Sequence, residues 1–260
     1  MSNPYNYHLP VRDDAMFFGR AELLSDLAAG LAQPVPLSAA LFGGRRFGKT
    51  SLLRKLERDM AGQDRDAGRR LIPWYYDPQA GYPLACDDDF FLLILEGLRT
   101  SLCEETAPQA LVEDTYVTEL RRGPGLAFET CFRMLLDEGG EDRSQVRLVM
   151  LIDEAEALLT APWGAELRPT LRRLLSNSGI VDSLALVMAG STAFHHKVVE
   201  KDSPLENILT RYSLGNLTHD ETLGLARDPN QGLLPADAAE EVWRQTGGHP
   251  CLVQFIMQEM

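Results

Sequence analysis

An octapeptide at residues 43–50 has the residue types and the spacing to bind phosphate groups. It fits the pattern G-x-x-x-x-G-K-[ST]. Its residues are Gly43, Gly44, Arg45, Arg46, Phe47, Gly48, Lys49 and Thr50, and Ser51 follows. Glycines let the backbone bend so that successive N–H groups point at phosphate oxygens. Lys49 would bring positive charge to the terminal phosphates, and the Thr50 hydroxyl would bind Mg2+. The alternative is a chance match, expected in about one chain in a hundred of this length.

Two adjacent carboxylates, Asp153 and Glu154, could supply the acidic half of such a site. They follow an apolar segment about a hundred residues after the octapeptide. Asp153 is expected to hold Mg2+ through water, and Glu154 is expected to polarise the attacking water as a general base. Acids at a strand-to-helix junction also serve as simple helix caps. Because the phosphate-binding pattern lies upstream, the catalytic interpretation is favoured over the capping one.

The elements that must position these residues alternate between strands and helices. Short apolar runs predict strands at residues 38–42, 71–76, 147–152 and 184–189, with an edge strand at 212–214. Helices are predicted at 21–31, 49–60, 88–103, 124–137 and 167–175. With the phosphate loop after the first strand, this order predicts an α/β P-loop NTPase fold, a mostly parallel sheet flanked by helices. Pro73 weakens one predicted strand, and Pro169 would be tolerable only in the first turn of its helix.

The chain changes character near residue 215, from alternating elements to helices alone. Thr218 and Glu221 fit a capping box, with Glu221 at the third helical position. Further helices are predicted at residues 236–245 and 252–258. We therefore expect a nucleotide-binding core at residues 1–215 and a small C-terminal helical lid at residues 216–260.

Composition limits the classes of partner. The 25 basic and 38 acidic residues give a net charge of −13, which disfavours broad nucleic-acid binding without excluding a local basic patch. No run approaches the roughly 18 apolar residues that span a bilayer, and the polar first residues do not resemble a secretory signal. A cytoplasmic location without a membrane partner is expected. Four scattered cysteines form no C-x-x-C pair and are expected to be core residues of a reduced protein. They are Cys86, Cys103, Cys131 and Cys251.

Short segments outside the two phosphate motifs complete a pattern that is typical of one family. They are Phe18-Gly19-Arg20, Ser51-Leu52-Leu53, Leu151-Ile152-Asp153-Glu154, Gly190-Ser191, Ser203-Pro204-Leu205 and Gly247-Gly248-His249-Pro250. Together with the octapeptide they resemble the AAA+-related STAND NTPases, particularly the archaeal-ATPase-like branch that is also common in bacteria. The resemblance covers nearly the whole chain. One departure is Gly44, because loops of this family often carry proline at that position.

The resemblance implies roles for residues near the nucleotide. Phe18, Gly19 and Arg20 would lie near the adenine. Ser191 would be a polar sensor near the γ-phosphate. The alternatives are that Phe17 and Phe18 only staple the first helix to the core and that Ser191 only caps a helix.

The resemblance also implies contacts from the lid and from a neighbouring subunit. His249 and Pro250 would touch the nucleotide from above, although the glycines before them also suit the end of a helix. Arg211 would reach a phosphate of its own or a neighbouring subunit as an arginine finger, and its alternative is an ordinary surface charge. Arg45 and Arg46 would brace the loop or a neighbouring subunit.

The activity that the resemblance implies is Mg2+-dependent ATP hydrolysis that drives a molecular switch. ATP would close the lid, create a surface for homo-oligomerisation and regulate a separate effector or sensor protein, as in bacterial defence or signalling. The absence of a guanine-reading N-K-x-D motif favours ATP over GTP. Two alternatives stay open: a DNA-engaging AAA+ loader or motor, which the negative charge disfavours, and a nucleotide-binding scaffold with little hydrolysis, which Glu154 disfavours. Family members usually continue into a winged-helix domain, so the remaining modules are expected in a longer chain or in separate proteins.

Overall fold

A five-stranded parallel sheet lies at the centre of the computed structural model, which describes residues 3–62, 69–81, 84–103, 109–140, 142, 145–199, 203–230 and 232–260. The strands are β1 (Ser38–Gly43), β2 (Arg70–Tyr76), β3 (Val146–Ile152), β4 (Leu184–Gly190) and β5 (Leu209–Leu214). Their order across the sheet is β2-β3-β4-β1-β5. The predicted α/β fold is confirmed, and β5 begins three residues earlier than expected.

Helices flank this sheet and follow it. They are α1 (Ala21–Ala32), α2 (Lys49–Ala61), α3 (Asp87–Cys103), α4 (Gln109–Glu119), α5 (Pro124–Glu138), α6 (Ala155–Thr160), α7 (Gly164–Ser176), α8 (Thr192–Val199), α9 (His219–Arg227), α10 (Ala236–Thr246) and α11 (Pro250–Glu259). The sequence analysis does not predict α4, α6 or α8. The last two are too short to show a helical period, and α4 buries little more than Val112 and Tyr116. None of the described helices is long and apolar enough to cross a membrane.

Different helices cover the two faces of the sheet. Successive strand residues point to opposite faces, so a strand buried on both sides is apolar throughout. Helices α1 and α2 cover one face, where Leu53 shares a core with Leu41 of β1. Helices α3 to α8 cover the other, where Phe128 shares a core with Met150 of β3.

Pro73 is accommodated because β2 is an edge strand. Its position is opposite Val149 of β3, and no strand among the described residues pairs with the other side of β2. An edge strand needs ladder bonds on one side only, so it is where a sheet tolerates proline. The predicted strand is therefore present despite Pro73.

Pro169 does not lie where the sequence analysis requires it. Helix α7 begins at Gly164, so Pro169 is beyond its first turn. The bond that a residue here would donate to the Ala165 carbonyl is lost, because proline has no N–H. Pro169 is exposed, which leaves that carbonyl accessible to water. The prediction of a helix starting near residue 167 with its proline in the first turn was wrong.

A third core cluster joins α9, α10 and α11 to the first residues of the described chain. Tyr5 is buried with Val242 and Met257, and its hydroxyl lies 3.1 Å and 2.9 Å from the carbonyl oxygens of Leu225 and Ala226. The capping box that opens α9 is present as predicted. Residues assigned to the core from sequence therefore pack with helices assigned to the lid, and the division at residue 215 stays a prediction.

The cysteines differ in their surroundings. Cys131 is buried, and burial raises the pKa of its thiol to about 12. Cys86 and Cys251 are half-buried free thiols. The side chain of Cys103 lies outside the described part of the structure. Of the three described side chains, Cys131 matches the expected core role most closely.

Candidate nucleotide-binding site

The phosphate-loop residues lie between the end of β1 and the start of α2. Leu52 donates the first backbone bond of α2 to the carbonyl of Gly48, over 2.9 Å. The N–H groups just before Leu52 therefore lie in the first turn, without an intrahelical acceptor. Gly48 has a φ of 86°, which favours glycine, although a Cβ there would meet nothing within 4 Å. The loop thus ends in a helix N-terminus that suits an anion.

Lys49 points back across its own loop. Its Nζ donates to the carbonyl oxygens of Gly43 at 3.1 Å and Gly44 at 3.0 Å. The residue is only 7% exposed. An ammonium group has three N–H donors, so a phosphate oxygen can bind the third without breaking either carbonyl bond.

The ring of Phe47 packs against both its own loop and the start of α11. Its centroid lies 4.5 Å from that of the His249 ring, in an edge arrangement. A Cβ added to Gly44 would lie 2.6 Å from Cε2 of Phe47. With the Phe47 ring in this position, a larger residue at position 44 would force the ring or the loop to shift, which is consistent with glycine rather than the proline of related loops.

Asp153 follows β3 at the same edge of the sheet as the phosphate loop, because parallel strands share a carboxyl edge. It is 1% exposed. Its Oδ2 accepts a hydrogen bond from the Tyr75 hydroxyl at 3.1 Å, and its Oδ1 accepts one from the Glu154 N–H at 3.0 Å. Burial and the neighbouring Asp153 carboxylate raise the pKa of Tyr75, so its hydroxyl keeps the proton that it donates.

Glu154 turns the chain sharply from β3 into α6. Its φ of 42° and ψ of 44° lie in the left-handed region, which a glutamate rarely occupies and which is concentrated at functional sites. Its side chain makes no capping hydrogen bond to α6, so the described structure does not support the capping alternative. Burial, and then the Glu156 and Asp153 carboxylates, raise the pKa of Glu154, and Lys49 opposes this rise. A carboxylate of raised basicity suits a general base.

Ser191 follows β4 and is held by Glu156. The Ser191 N–H lies 3.2 Å and 3.4 Å from the two carboxylate oxygens of Glu156. The Ser191 hydroxyl accepts a hydrogen bond from the Ala193 N–H at 3.2 Å, in the first turn of α8. The capping alternative for Ser191 therefore describes its observed contact, and its role as a sensor stays a prediction.

A single cleft brings the loop together with Glu154, α9, α11 and the N-terminal segment, defined here as residues 3–11. The Val11 N–H donates to the Ser51 hydroxyl at 3.0 Å, and the Asn6 N–H donates to the Gln254 side chain at 3.3 Å. The sequence analysis assigns no role to this segment. No residue type in the segment indicates phosphate or base binding. Contacts with α11, which is far away in sequence, determine its position, so local sequence does not predict it.

Phe18, Gly19 and Arg20 lie beside the cleft and are tied to α9. Phe18 and Arg20 line the cleft. The Arg20 N–H donates to Glu221 at 2.9 Å, and a Cβ on Gly19 would lie 2.6 Å from Cδ of Glu221. Phe18 packs in the third core cluster, whereas Phe17 packs beneath α1. The stapling role therefore fits Phe17, and contact with adenine stays a prediction for Phe18.

Helix α11 contributes the other wall of the cleft. Pro250 and Cys251 line it, and Nη1 of Arg46 lies 3.6 Å from the Cys251 sulfur, so Arg46 braces the loop against α11. Arg45 also lines the cleft and is exposed. Burial lowers the pKa of His249, and its Nδ1 is buried without a hydrogen-bond partner among the described residues. His249 is not among the described residues that line the cleft, so its contact with a nucleotide stays a prediction.

Arg211 lies on the outer edge of the sheet. It is opposite Ala40 of β1, which precedes Gly43 by three residues. Along the strand direction, Arg211 therefore lies about 10 Å from the start of the phosphate loop. The residue is exposed and is not among the described residues that line the cleft. Within one subunit Arg211 does not join the other predicted site residues. Contact with a neighbouring subunit stays a prediction.

The oxygen ligands that Thr50 and Asp153 offer beside the phosphate loop suit a nucleoside triphosphate with Mg2+. In the described part of the chain, no group of three or more His, Cys, Asp or Glu side chains could hold a metal ion. Mg2+ usually binds one or two protein groups together with phosphate oxygens and water, so no such cage is needed. Thr50 and Asp153 are the predicted protein ligands, and Thr50 lines the cleft together with the apolar side chains of Phe18 and Leu217.

Comparison with solved structures identifies the fold as that of P-loop ATPases. A Walker-type ATPase of Pyrococcus abyssi superposes with a TM-score of 0.61 at 19% identity, over 96% of this chain and 69% of that one. The Aeropyrum pernix ORC1 protein, in complex with DNA, gives a TM-score of 0.57 at 15% identity, over 96% and 60%. The ORC2 protein of the same organism, in ADPNP-ADP complexes, gives 0.53 at 16% identity, over 94% and 60%.

These similarities extend to the fold and no further. The chain spans about 60% of the length of the two ORC chains. No protein-family model matches the sequence, and no curated protein does. At such low identity the shared property is the fold alone, that of a P-loop NTPase.

Proposed function

We propose that this chain binds ATP with Mg2+ and hydrolyses it. The observation that carries the proposal is the convergence of Lys49, Thr50 and Glu154 on one cleft at the carboxyl edge of the sheet. Asp153, held rigidly beside Glu154, is the metal-binding carboxylate in this scheme. The likeness to a Walker-type ATPase fold supports the same assignment.

Each residue has a defined task in the proposed reaction. The first turn of α2 and the Lys49 ammonium bind the phosphates and withdraw negative charge from them. Mg2+, when bound with the nucleotide, neutralises charge on the β- and γ-phosphates. Glu154 orients a water molecule and accepts its proton as the water oxygen attacks the γ-phosphorus, and ADP leaves with the bridging oxygen.

We further propose that this cycle operates a STAND-type switch. The support is the composition of the cleft, which the phosphate loop lines together with Leu217, Leu225 and Pro250 from the part of the chain after residue 215. A nucleotide there would contact both parts, and its γ-phosphate could set how closely they pack. The proposal includes a cytoplasmic homo-oligomer, with Arg211 presented to a neighbouring subunit, and a separate protein effector or sensor in signalling or defence.

The test compares ATP binding and turnover in three variants with wild type. Lys49→Ala is expected to lose both. Glu154→Gln is expected to bind ATP as wild type does and to lose at least about 100-fold in turnover, the usual contribution of a general base. Exposed Glu22→Gln serves as the matched control and should behave as wild type. Normal hydrolysis by Glu154→Gln would refute the assignment of the base. Tight binding with negligible wild-type turnover would favour the scaffold alternative.

A DNA-engaging ATPase is the second candidate. It is favoured by the fold similarity to an ORC1 protein in complex with DNA and opposed by the net charge of −13. Turnover measured with and without duplex DNA separates the two candidates. Stimulation that weakens as salt rises would support DNA engagement, and turnover unaffected by DNA would support the switch.

A further inference from the structure

A hydrogen bond and a cation–π contact connect the phosphate-loop helix to Asp153 through Tyr75. Tyr75 lies on β2 in register with Leu151 of β3, and its hydroxyl donates to Oδ2 of Asp153 over 3.1 Å. The guanidinium of Arg54, on α2, lies 3.3 Å from the centroid of the Tyr75 ring. The phosphate motifs include neither Tyr75 nor Arg54.

The Asp153 carboxylate is held from two sides. Oδ2 accepts one hydrogen bond from the Tyr75 hydroxyl, and Oδ1 accepts one from the Glu154 N–H at 3.0 Å. One donor lies on β2 and the other is the backbone N–H that follows Asp153 itself, so together they restrain rotation of the carboxylate. Each oxygen retains a further lone pair that could accept a hydrogen bond from a metal-bound water.

Arg54 ties this arrangement to the other predicted metal ligand. Thr50 and Arg54 are four residues apart on α2 and therefore lie on the same face of the helix. Glu57 holds Arg54 through a 2.8 Å ion pair. A cation over the ring face withdraws electron density from the phenol, which makes its hydroxyl a stronger donor to a carboxylate.

We propose that Tyr75, backed by Arg54, is a positioning residue that orients Asp153 for Mg2+ binding. It does not touch nucleotide or metal, and it acts by fixing the carboxylate relative to the helix that carries Thr50. The inference rests on the proposed function of the cleft. Residues in this outer layer of metal sites usually change metal affinity by about 10- to 100-fold.

The alternative is that Tyr75 only fills space. Its ring packs in the core between α2 and the sheet, with Leu53 and Leu151 in the same cluster. Tyr75→Phe separates the two roles, because it removes only the hydroxyl and keeps the ring and its contact with Arg54. A pure packing role predicts no effect on Mg2+ dependence.

The experiment measures binding of a fluorescent ATP analogue to the full chain, in EDTA and across a Mg2+ titration. Tyr75→Phe is expected to need about 10-fold more Mg2+ for half-maximal enhancement of binding, with binding in EDTA unchanged. Arg54→Lys keeps the charge but loses the flat stacking, and should give a smaller shift in the same direction. Tyr212→Phe changes another half-buried tyrosine of the sheet, in β5, and is the matched control that should titrate as wild type.

A second comparison tests whether Tyr75 acts through Asp153. Asp153→Asn alone should raise the Mg2+ concentration for half-maximal enhancement of binding at least as much as Tyr75→Phe does. Adding Tyr75→Phe to Asp153→Asn should then change nothing more, whereas an independent role would add its own effect. If wild type shows Mg2+-dependent binding and Tyr75→Phe matches it, only this inference fails. If wild type shows no Mg2+-dependent nucleotide binding, the proposed function fails and the inference with it.

Discussion

At the scale of single residues, Phe47 determines which side chains its own loop accepts. Gly44→Ala is expected to lower the free energy of unfolding by about 1–3 kcal/mol, because the new Cβ would lie 2.6 Å from the Phe47 ring and the loop must shift. Phe47→Ala removes the obstacle, so Gly44→Ala made in that background should cost clearly less. Denaturant unfolding of the two single variants, the double variant and wild type provides the measurement.

The matched control for that cycle is Gly62→Ala, at the end of α2. A Cβ on Gly62 would come no closer than 3.4 Å to another atom, which is ordinary contact. It should be close to neutral. An equal cost of Gly44→Ala with and without the Phe47 ring would contradict the explanation.

Residues whose role depends on neighbours in sequence were predictable, and residues whose role depends on distant partners were not. The order and spacing around Lys49 predict a loop between a strand and a helix because all of its parts are local, and the structure has that loop between β1 and α2. Arg147 is the opposite case: it is fully buried in β3, where it donates to the carbonyl oxygens of Pro34 at 2.9 Å and Asp182 at 2.8 Å. A buried charge needs such partners. They lie more than 30 residues away in either direction, so no pattern around Arg147 identifies them.

At the scale of elements, Glu221 joins α9 to the segment before α1. Its carboxylate accepts the Thr218 N–H at 2.8 Å and the Arg20 N–H at 2.9 Å. Burial opposes ionisation, but these two N–H donors prevail and lower the pKa of Glu221. One side chain therefore both caps a helix and holds the residues that line the cleft.

Glu221→Gln is expected to lower Tm by a few degrees at pH 7, as the loss of about 1 kcal/mol of capping would. A carboxyl whose folded pKa is lowered stabilises the fold above its ordinary pKa of about 4.3 and loses that contribution as pH falls through the folded pKa. The Tm difference between variant and wild type should therefore shrink in acid. Thermal unfolding from pH 7 down to about pH 2, with exposed Glu22→Gln alongside, measures it, because the lowered folded pKa lies below the ordinary carboxyl pKa. A difference of constant size over this range would contradict the role of the ionised carboxylate.

At this scale, the elements that the sequence predicts are those with an unbroken pattern of apolar residues. The buried strands are recognisable as unbroken apolar runs, because both of their faces are covered. Helix α4 has no such signal, since few of its side chains are buried. The N-terminal segment has none either, because its position comes from bonds such as that of Tyr7 to Gln258 in α11, 251 residues further along the chain.

At the scale of the whole molecule, the exposed position of Arg211 makes assembly testable by mixing. If Arg211 acts across a subunit boundary, Arg211→Ala and Lys49→Ala should each be inactive alone, because an arginine finger contributes about 1,000-fold or more. In an equal mixture, intact loops meet intact arginines at about a quarter of random head-to-tail interfaces, so about a quarter of wild-type turnover should return. ATP turnover of the mixture, at the same total protein concentration as each variant alone, is the measurement.

The control for the mixing experiment is Arg121→Ala, which removes another exposed arginine and should leave turnover unchanged. Full activity of Arg211→Ala alone would identify Arg211 as an ordinary surface charge. Inactive variants that do not recover on mixing would exclude action between subunits.

The place of Tyr5 in the third core cluster also has a consequence for synthesis on the ribosome. Its hydroxyl bonds to the carbonyl of Leu225, 220 residues further along the chain. At about 5–20 residues per second, the ribosome needs roughly 10–45 seconds to make that stretch. The Tyr5 ring therefore leaves the ribosome well before Leu225 does, and it spends that interval without this native partner. The phosphate loop and the parallel sheet can assemble during that interval. The cleft is complete only when the N-terminal segment packs against α11.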